Sequence, residues 1–429
     1  MKLWDKGYTV NNIVDKFTVG NDRILDLHLA KYDVQGSKAH AQMLQKIGII
    51  TEEELQKLLT ALSEIETTIA SGAFEIEENF EDVHSKIEFE LIKKTGAVGK
   101  KIHTARSRND QVLVALHLYA KAELVVLKEL TQQLFDTLLK LAEKHKSIII
   151  PGYTHMQVAM PSSFGLWFSG FAESLIDDVI MLQAAYKIAD QNPLGSAAGY
   201  GSSFPIDRTM TTELLGFSTL KYNVTAAQMS RGKLEKTTAF AMAAVAGTLA
   251  KFATDVCLYS NQNFGFVSFP KELTTGSSIM PHKKNPDVFE LIRAKANKIQ
   301  QLPSEIMMIT NNLPSGYHRD FQLLKENFIQ SIDLLKDVLE VTAFMLQHIE
   351  VNPSIVEDPK YNHLYTVEAV NKLVMQGVSF RDAYQAVGKQ IMEDEFLADR
   401  TLNHTHEGSI GNLCLEAIQL KFENYKKWD

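Results

Sequence analysis

Four stretches of this chain, residues 111–145, 162–190, 230–261 and 321–347, read at helical period, and convincing two-residue alternation of the strand type is scarce. The first sets Leu113, Leu116, Ala120, Leu124, Leu127, Leu134, Leu138 and Leu141 on one broad face, with no proline or glycine between them. It predicts a helix on the order of 50 Å long at 1.5 Å per residue. The third contains Ala239-Phe240-Ala241-Met242-Ala243-Ala244-Val245-Ala246, which is apolar all round. Such a helix must be buried on every side. A bundle within one chain would do that, but helices this long and this apolar favour a bundle shared between subunits, so an obligate homo-oligomer is expected.

The class that follows is all-α, mostly helical. Residues 1–105 read as an N-terminal, mostly helical domain of shorter elements, in which Thr51 and Glu54 form a capping box. Its last loop is punctuated by Gly96 and Gly99. Residues 106–350 form the long-helix bundle and carry the chemically loaded loops. Residues 351–429 form a small helical domain, where Ser379 caps the second helix of a helix–turn–helix after Gly377. That region is not basic and reads as packing, not as DNA recognition.

Composition narrows the partners. A net charge of -8 without a basic tail disfavours nucleic acid, yet local cationic clusters leave room for an anionic small substrate. Cys257 and Cys414 are the only cysteines, so a disulfide framework or zinc site is not expected and a reducing compartment fits. The start, Met1-Lys2-Leu3-Trp4-Asp5-Lys6-Gly7, lacks a signal peptide's apolar core. The apolar run at 239–250 ends at Lys251 and reads as too short to span a bilayer. A cytoplasmic protein without membrane contact is expected.

Three loops carry the chemistry. Gly276-Ser277-Ser278-Ile279-Met280-Pro281-His282-Lys283-Lys284-Asn285-Pro286-Asp287 ends as a helix start, with Asn285 as N-cap, Pro286 in the first turn and a helix continuing until Pro303 stops it. That aims a helix dipole and two lysines at a serine loop, an arrangement that favours negative charge and helps a serine oxygen lose its proton. A serine-rich surface turn is the plainer reading. The second loop, Lys101-Ile102-His103-Thr104-Ala105-Arg106-Ser107-Arg108-Asn109-Asp110, suits carboxylate or phosphate recognition, or is a solvated turn with Asn109 or Asp110 as N-cap. The third, Pro151-Gly152-Tyr153-Thr154-His155-Met156-Gln157, offers His155 as a positioned acid–base group or a simple hydrogen-bonding residue. The glycine- and serine-rich run at 193–203 lacks a P-loop's Gly-Lys-Ser/Thr ending and reads as a turn-rich connection that lines the site.

The three loops together resemble argininosuccinate lyase, within the fumarase and aspartase superfamily, and the resemblance extends from about Trp4 to residues 377–388. It implies three domains around a central bundle of long helices in a homotetramer, with each active site built from three loops of three different chains. The implied reaction is the reversible elimination of argininosuccinate to arginine and fumarate through a carbanion, with no metal or organic cofactor. On the resemblance, Ser277 matches the base and His155 the second proton-transfer group, oriented by Glu290. Lys283 and Asn285 match groups that bind the substrate carboxylate. Asn109 and Thr154 hold substrate oxygens, Ser107 and Arg108 belong to the same binding loop, and Tyr317, Gln322 and Lys325 hold the arginine-like end.

Some residues depart from the family pattern. Leu3-Trp4-Asp5-Lys6-Gly7-Tyr8 stands where Leu-Trp-Gly-Gly-Arg-Phe is usual, and Leu323-Leu324 replaces an acidic pair. His318-Arg319 replaces Asn-Lys, and Met229-Ser230-Arg231-Gly232 lacks the usual acid after arginine. Because these fall near the amino-acid end of the substrate, an N-acylated relative of argininosuccinate is a further expectation. The competing readings are adenylosuccinate lyase or another fumarate-releasing lyase of the superfamily, and a non-catalytic, crystallin-like structural protein.

Overall fold

The computed structural model describes residues 11–428. The departure at residues 3–8 therefore lies outside the described residues. Helix dominates, as the periodicity requires. Arg108–Lys144 is one helix of 37 residues, and Phe164–Ala189, Lys233–Tyr259 and Leu324–Leu346 supply the other three expected rods. Strands are limited to short pairs, of which the antiparallel hairpin Ile149–Thr154 with Gln157–Ser163 is the longest.

A fifth long helix, Asp287–Thr310, corrects the reading of its region. Pro303 does not stop it but lies inside it. A proline there forfeits one backbone hydrogen bond and crowds the preceding turn. Leu302 and Ile306 on either side are buried, and that packing holds the helix through the break. The helix also begins at Asp287, one residue later than an Asn285 cap requires.

The described residues group into two compact units, neither consecutive in sequence. One gathers the residues up to Lys128 with Met181–Ala244 and Lys298–Lys336; the other gathers Glu129–Ile180, Val245–Asn297 and Asp337–Asp429. In the first, Ala30–Lys46, Glu52–Ala70 and Val83–Thr95 enclose a core that includes Val34, Leu44, Leu58, Leu62 and Ile87. The capping box is present: Thr51 Oγ accepts from the Glu54 N–H, and Glu54 returns a carboxylate oxygen to the Thr51 N–H. The stretch at 96–103, expected as loop, is a 3-10 helix. In the second unit Trp167 stacks on Phe252 at 5.3 Å and donates from its indole N–H to Asp255. The Leu415–Tyr425 helix docks there through Phe422, stacked 3.9 Å from Phe135. The helix–turn–helix near the C-terminus forms as read, with the Ser379 hydroxyl accepting from the Asp382 N–H and Val370, Ala383 and Val387 as its core.

The apolar helix Lys233–Tyr259 bears on two expectations. At 27 residues it is long and apolar enough to cross a membrane by length and composition, although half of its apolar window is buried inside the fold. Burial on every side is not achieved within one chain, because Phe240 stays 42% exposed.

Candidate active site

In the first unit, five remote stretches enclose a cavity of about 180 Å³ whose wall includes Arg108, Asn109, Tyr317, Gln322 and Lys325. Asn109 is placed by the start of the Arg108–Lys144 helix. Ser107, not Asn109 or Asp110, sits at the cap position: its hydroxyl accepts from the Asn109 N–H, and Asp110 accepts from the Ser107 N–H at 2.9 Å. The other Asp110 oxygen takes the N–H groups of Gly195 and Ala197, which docks the glycine-rich turn against this helix start.

Arg108 is held firmly. Its guanidinium lies 3.1 Å from Glu81 and 3.2 Å from Asp82, and it donates to Ser85 Oγ. Asp82 also caps the Val83–Thr95 helix through the Ser85 N–H. Burial alone would raise the Asp82 carboxyl, but the charges of His84 and Arg108 outweigh it and hold it below the usual range.

Lys325 is buried between two carboxylates, 2.8 Å from Asp22 and 2.7 Å from Asp26. Burial disfavours its charge, but Asp26 and Asp22 outweigh that and raise its pKa. Burial pushes Asp22 up to about 6 against the pull of Lys325. The Gln322 amide donates to the carbonyls of Thr18 and Val19, and Arg319 donates to Thr18 and Glu81. His84 completes the wall, fully buried: burial would lower its pKa, but Asp33, 3.1 Å from Nδ1, outweighs that and raises it, and Nε2 has no hydrogen-bond partner among the described residues.

Several wall residues escaped the sequence reading. Asp22, Asp26, Glu81 and Asp82 line this cavity beside the expected groups, and Arg231, already placed near the substrate's amino-acid end, joins them. Asp22 and Asp26 are spaced to share a helix face, and Glu81-Asp82 precedes a helix; nothing local says that Lys325, some 300 residues on, will meet them. The leucines that replace an acidic pair do not line it: Leu323 is exposed and Leu324 is packed in the interior.

In the second unit, the stretch expected as a loop around His155 is the hairpin itself. His155 and Met156 form its two-residue turn, and both have positive φ, at 52° and 61°. This matches a type I′ turn, which normally draws on Asn or Gly because other side chains are strained there. Gly152 is required below the tip, since a Cβ would stand 2.9 Å from the Met160 carbonyl. Tyr153 packs edge-on against Phe264, and Thr154 and His155 are exposed at the tip.

The Ser277 loop in the same unit is closed at its base by a bridge between Thr275 and Asn285, with the Asn285 N–H donating to the Thr275 carbonyl. Asn285 is not the helix cap; its amide turns back to donate to the Gly276 carbonyl at 3.2 Å. Ser277 Oγ accepts from the N–H groups of Ile279 and Met280. Those donors favour a developing serine oxyanion. Lys283 is exposed on this loop and Glu290 is exposed in the first turn of the Asp287–Thr310 helix. Among the described residues, no hydrogen bond or ion pair joins Ser277, His155 and Glu290 within one chain.

Comparison with known proteins identifies the family. A family model described as lyase matches residues 8–301. An argininosuccinate lyase of Bacteroides fragilis is 57% identical over 417 residues, covering 97% of this chain and 93% of that one. One from Thermotoga neapolitana is 43% identical over 389 residues, covering 91% and 98%. Among solved structures, an EDDS lyase variant with bound fumarate gives a TM-score of 0.77 at 20% identity, covering 98% of this chain and 90% of that one. A class II fumarase from Schistosoma mansoni gives 0.76 at 18% identity, covering 96% and 94%; both likenesses speak to the fold. The chain belongs to the lyase family and, within it, to the argininosuccinate lyases.

Proposed function

We propose that the protein catalyses the reversible elimination of argininosuccinate to arginine and fumarate, the fumarate-forming step of arginine biosynthesis. The observation that carries this reading is the 57% identity over 97% of the chain to a protein of that name. The cavity that gathers Asn109, Tyr317, Gln322 and Lys325 supports it.

The reaction removes a proton from a carbon beside a carboxylate and breaks the adjacent C–N bond. Charge accumulates on that carboxylate in the carbanion, and each donor aimed at it is typically worth ~3–4 kcal/mol. Lys283 and Asn285 take this role. Ser277 is the base, eased by the loop N–H groups that already point at its oxygen. His155 handles the second proton at the departing guanidinium nitrogen, with Glu290 orienting the imidazole as an acid orients a triad histidine. Asn109 and Thr154 hold substrate oxygens, and Ser107 and Arg108 complete the binding loop. The transfers use side chains alone, without metal or organic cofactor.

The active assembly is a cytoplasmic homotetramer of three-domain chains (1–105, 106–350, 351–429), with each centre completed by loops of three chains. The exposure of Phe240 on an otherwise apolar helix supports a shared bundle. So do the hairpin tip, where Thr154 and His155 are exposed on a single chain, and the Ser277 loop, where Lys283 is. At the distal end the substrate carries a free amino acid. Asp22, Glu81 and Asp82 on the wall suit an ammonium, and the leucines that suggested an acylated relative do not line the cavity.

Purified protein mixed with argininosuccinate and followed by fumarate absorbance tests the reading. Fumarate release is expected. Release from adenylosuccinate instead would favour another lyase of the superfamily, and silence on every substrate a structural protein.

A further inference from the structure

The usual acid after Arg231 is absent, and the structure accounts for its place. Gly232 has φ +79°, and a Cβ there would stand 2.9 Å from Thr310 Cγ2 and 3.2 Å from the Phe321 ring. No side chain fits at that position without displacing Thr310 and crowding Phe321. The acid comes instead from one helical turn on: Glu235 lies 2.8 Å from the Arg231 Nε, and its other oxygen accepts from the Gly232 N–H at 2.7 Å. Both partners are buried. The far end of the same guanidinium donates to the Phe321 carbonyl at 2.7 Å.

That carbonyl belongs to the 3-10 turn Arg319–Leu323, which carries Gln322 and leads directly into the helix that begins Leu324-Lys325. Arg231 and these two residues share one cavity wall. Thus a buried carboxylate holds a guanidinium, the guanidinium holds a main-chain carbonyl, and the carbonyl sets the turn from which Gln322 and Lys325 project. We propose that Glu235 is a positioning residue for the amino-acid end of the substrate, acting through Arg231 and the Phe321 carbonyl. The proposal rests on the functional reading above, since it assigns that end to this cavity. Glu235 touches no reacting atom, so its loss leaves the proton-transfer groups in place and misplaces the distal contacts.

Two variants test this. Glu235→Gln keeps size and hydrogen bonding but removes the charge that anchors Arg231. Arg231→Met combined with Glu235→Leu removes both buried charges, an exchange that buried pairs frequently tolerate in folding. For each, KM for argininosuccinate is expected to rise about tenfold, with competitive inhibition by L-arginine weakened alike and inhibition by fumarate unchanged. A merely structural role moves different quantities: the folded fraction and kcat fall together while both inhibition constants hold. The proposal is overturned if either folded variant keeps wild-type inhibition by arginine, or if arginine and fumarate weaken in parallel. A wild type that releases no fumarate sinks the functional reading; a wild type that does, with unchanged variants, sinks only this inference.

Discussion

Lys325 Nζ lies 2.7 Å from the Asp26 carboxylate, and both side chains are buried. The second Asp26 oxygen accepts from the Val83 N–H, so one carboxylate ties the Leu324–Leu346 helix to the start of the Val83–Thr95 helix. Removing one member of a buried pair leaves the other charged and uncompensated, which typically costs about 3–5 kcal/mol. Asp22 still faces Lys325, which softens the loss. Asp26→Ala is therefore expected to lower stability by about 3 kcal/mol, read as a shift of the urea midpoint at fixed protein concentration.

His155 is exposed at the hairpin tip and Ser277 is half-buried on a surface loop of the second unit, and neither belongs to the core. Ser277→Ala and His155→Asn are expected to cut kcat by about 10²–10⁴-fold, the usual worth of a positioned proton-transfer group. Thermal stability is expected to stay within about 0.5 kcal/mol of wild type, as for other surface changes. Steady-state kinetics beside melting curves check both halves, and an active Ser277→Ala would remove the serine from the proposed chemistry.

His117 is fully buried, with Nδ1 2.8 Å from the Ala189 carbonyl and Nε2 facing Ser230 Oγ at 3.1 Å. Burial lowers its pKa from 6.5 to about 4. Above pH 6.5 neither the folded nor the unfolded chain protonates it. As pH falls from 6.5 towards 4 only the unfolded chain takes the proton, so stability drops by about 1.4 kcal/mol per pH unit from this group. His117→Gln is expected to flatten the urea-midpoint profile across that window by one proton. Identical slopes in variant and wild type would refute this.

Substrate choice follows from which side chains reach the cavity wall. With carboxylates on it and Leu323 and Leu324 away from it, plain argininosuccinate is expected to exceed its N-acetyl derivative in kcat/KM by at least about tenfold, the order expected when a buried charge loses its partner. Parallel fumarate-release assays decide, and equal or reversed values would mean that the amino-acid end is acylated.

Phe240 is a large apolar side chain exposed on the apolar helix. If a second chain covers it, Phe240→Asp sets a charge in that interface and is expected to shift the mass measured by light scattering from four chains to fewer. A tetramer that survives the change would place the shared bundle elsewhere.

The sequence by itself determined what depends on neighbours within a few turns. Helical period, caps such as Thr51 with Glu54, and the order of the three loaded loops are local or one-dimensional, and they carried the class and the resemblance. Local rules misjudged Pro303 and Asn285, because packing of Leu302 and Ile306 outweighs one lost hydrogen bond, and a carbonyl across the loop claims the asparagine amide. Only the tertiary structure decided that Asp22 and Asp26 would meet Lys325, whereas Glu235 stands four residues from Arg231 and lay within reach of local spacing. Buried charges must find partners wherever the chain brings them, and no spacing along the chain records a partner hundreds of residues away.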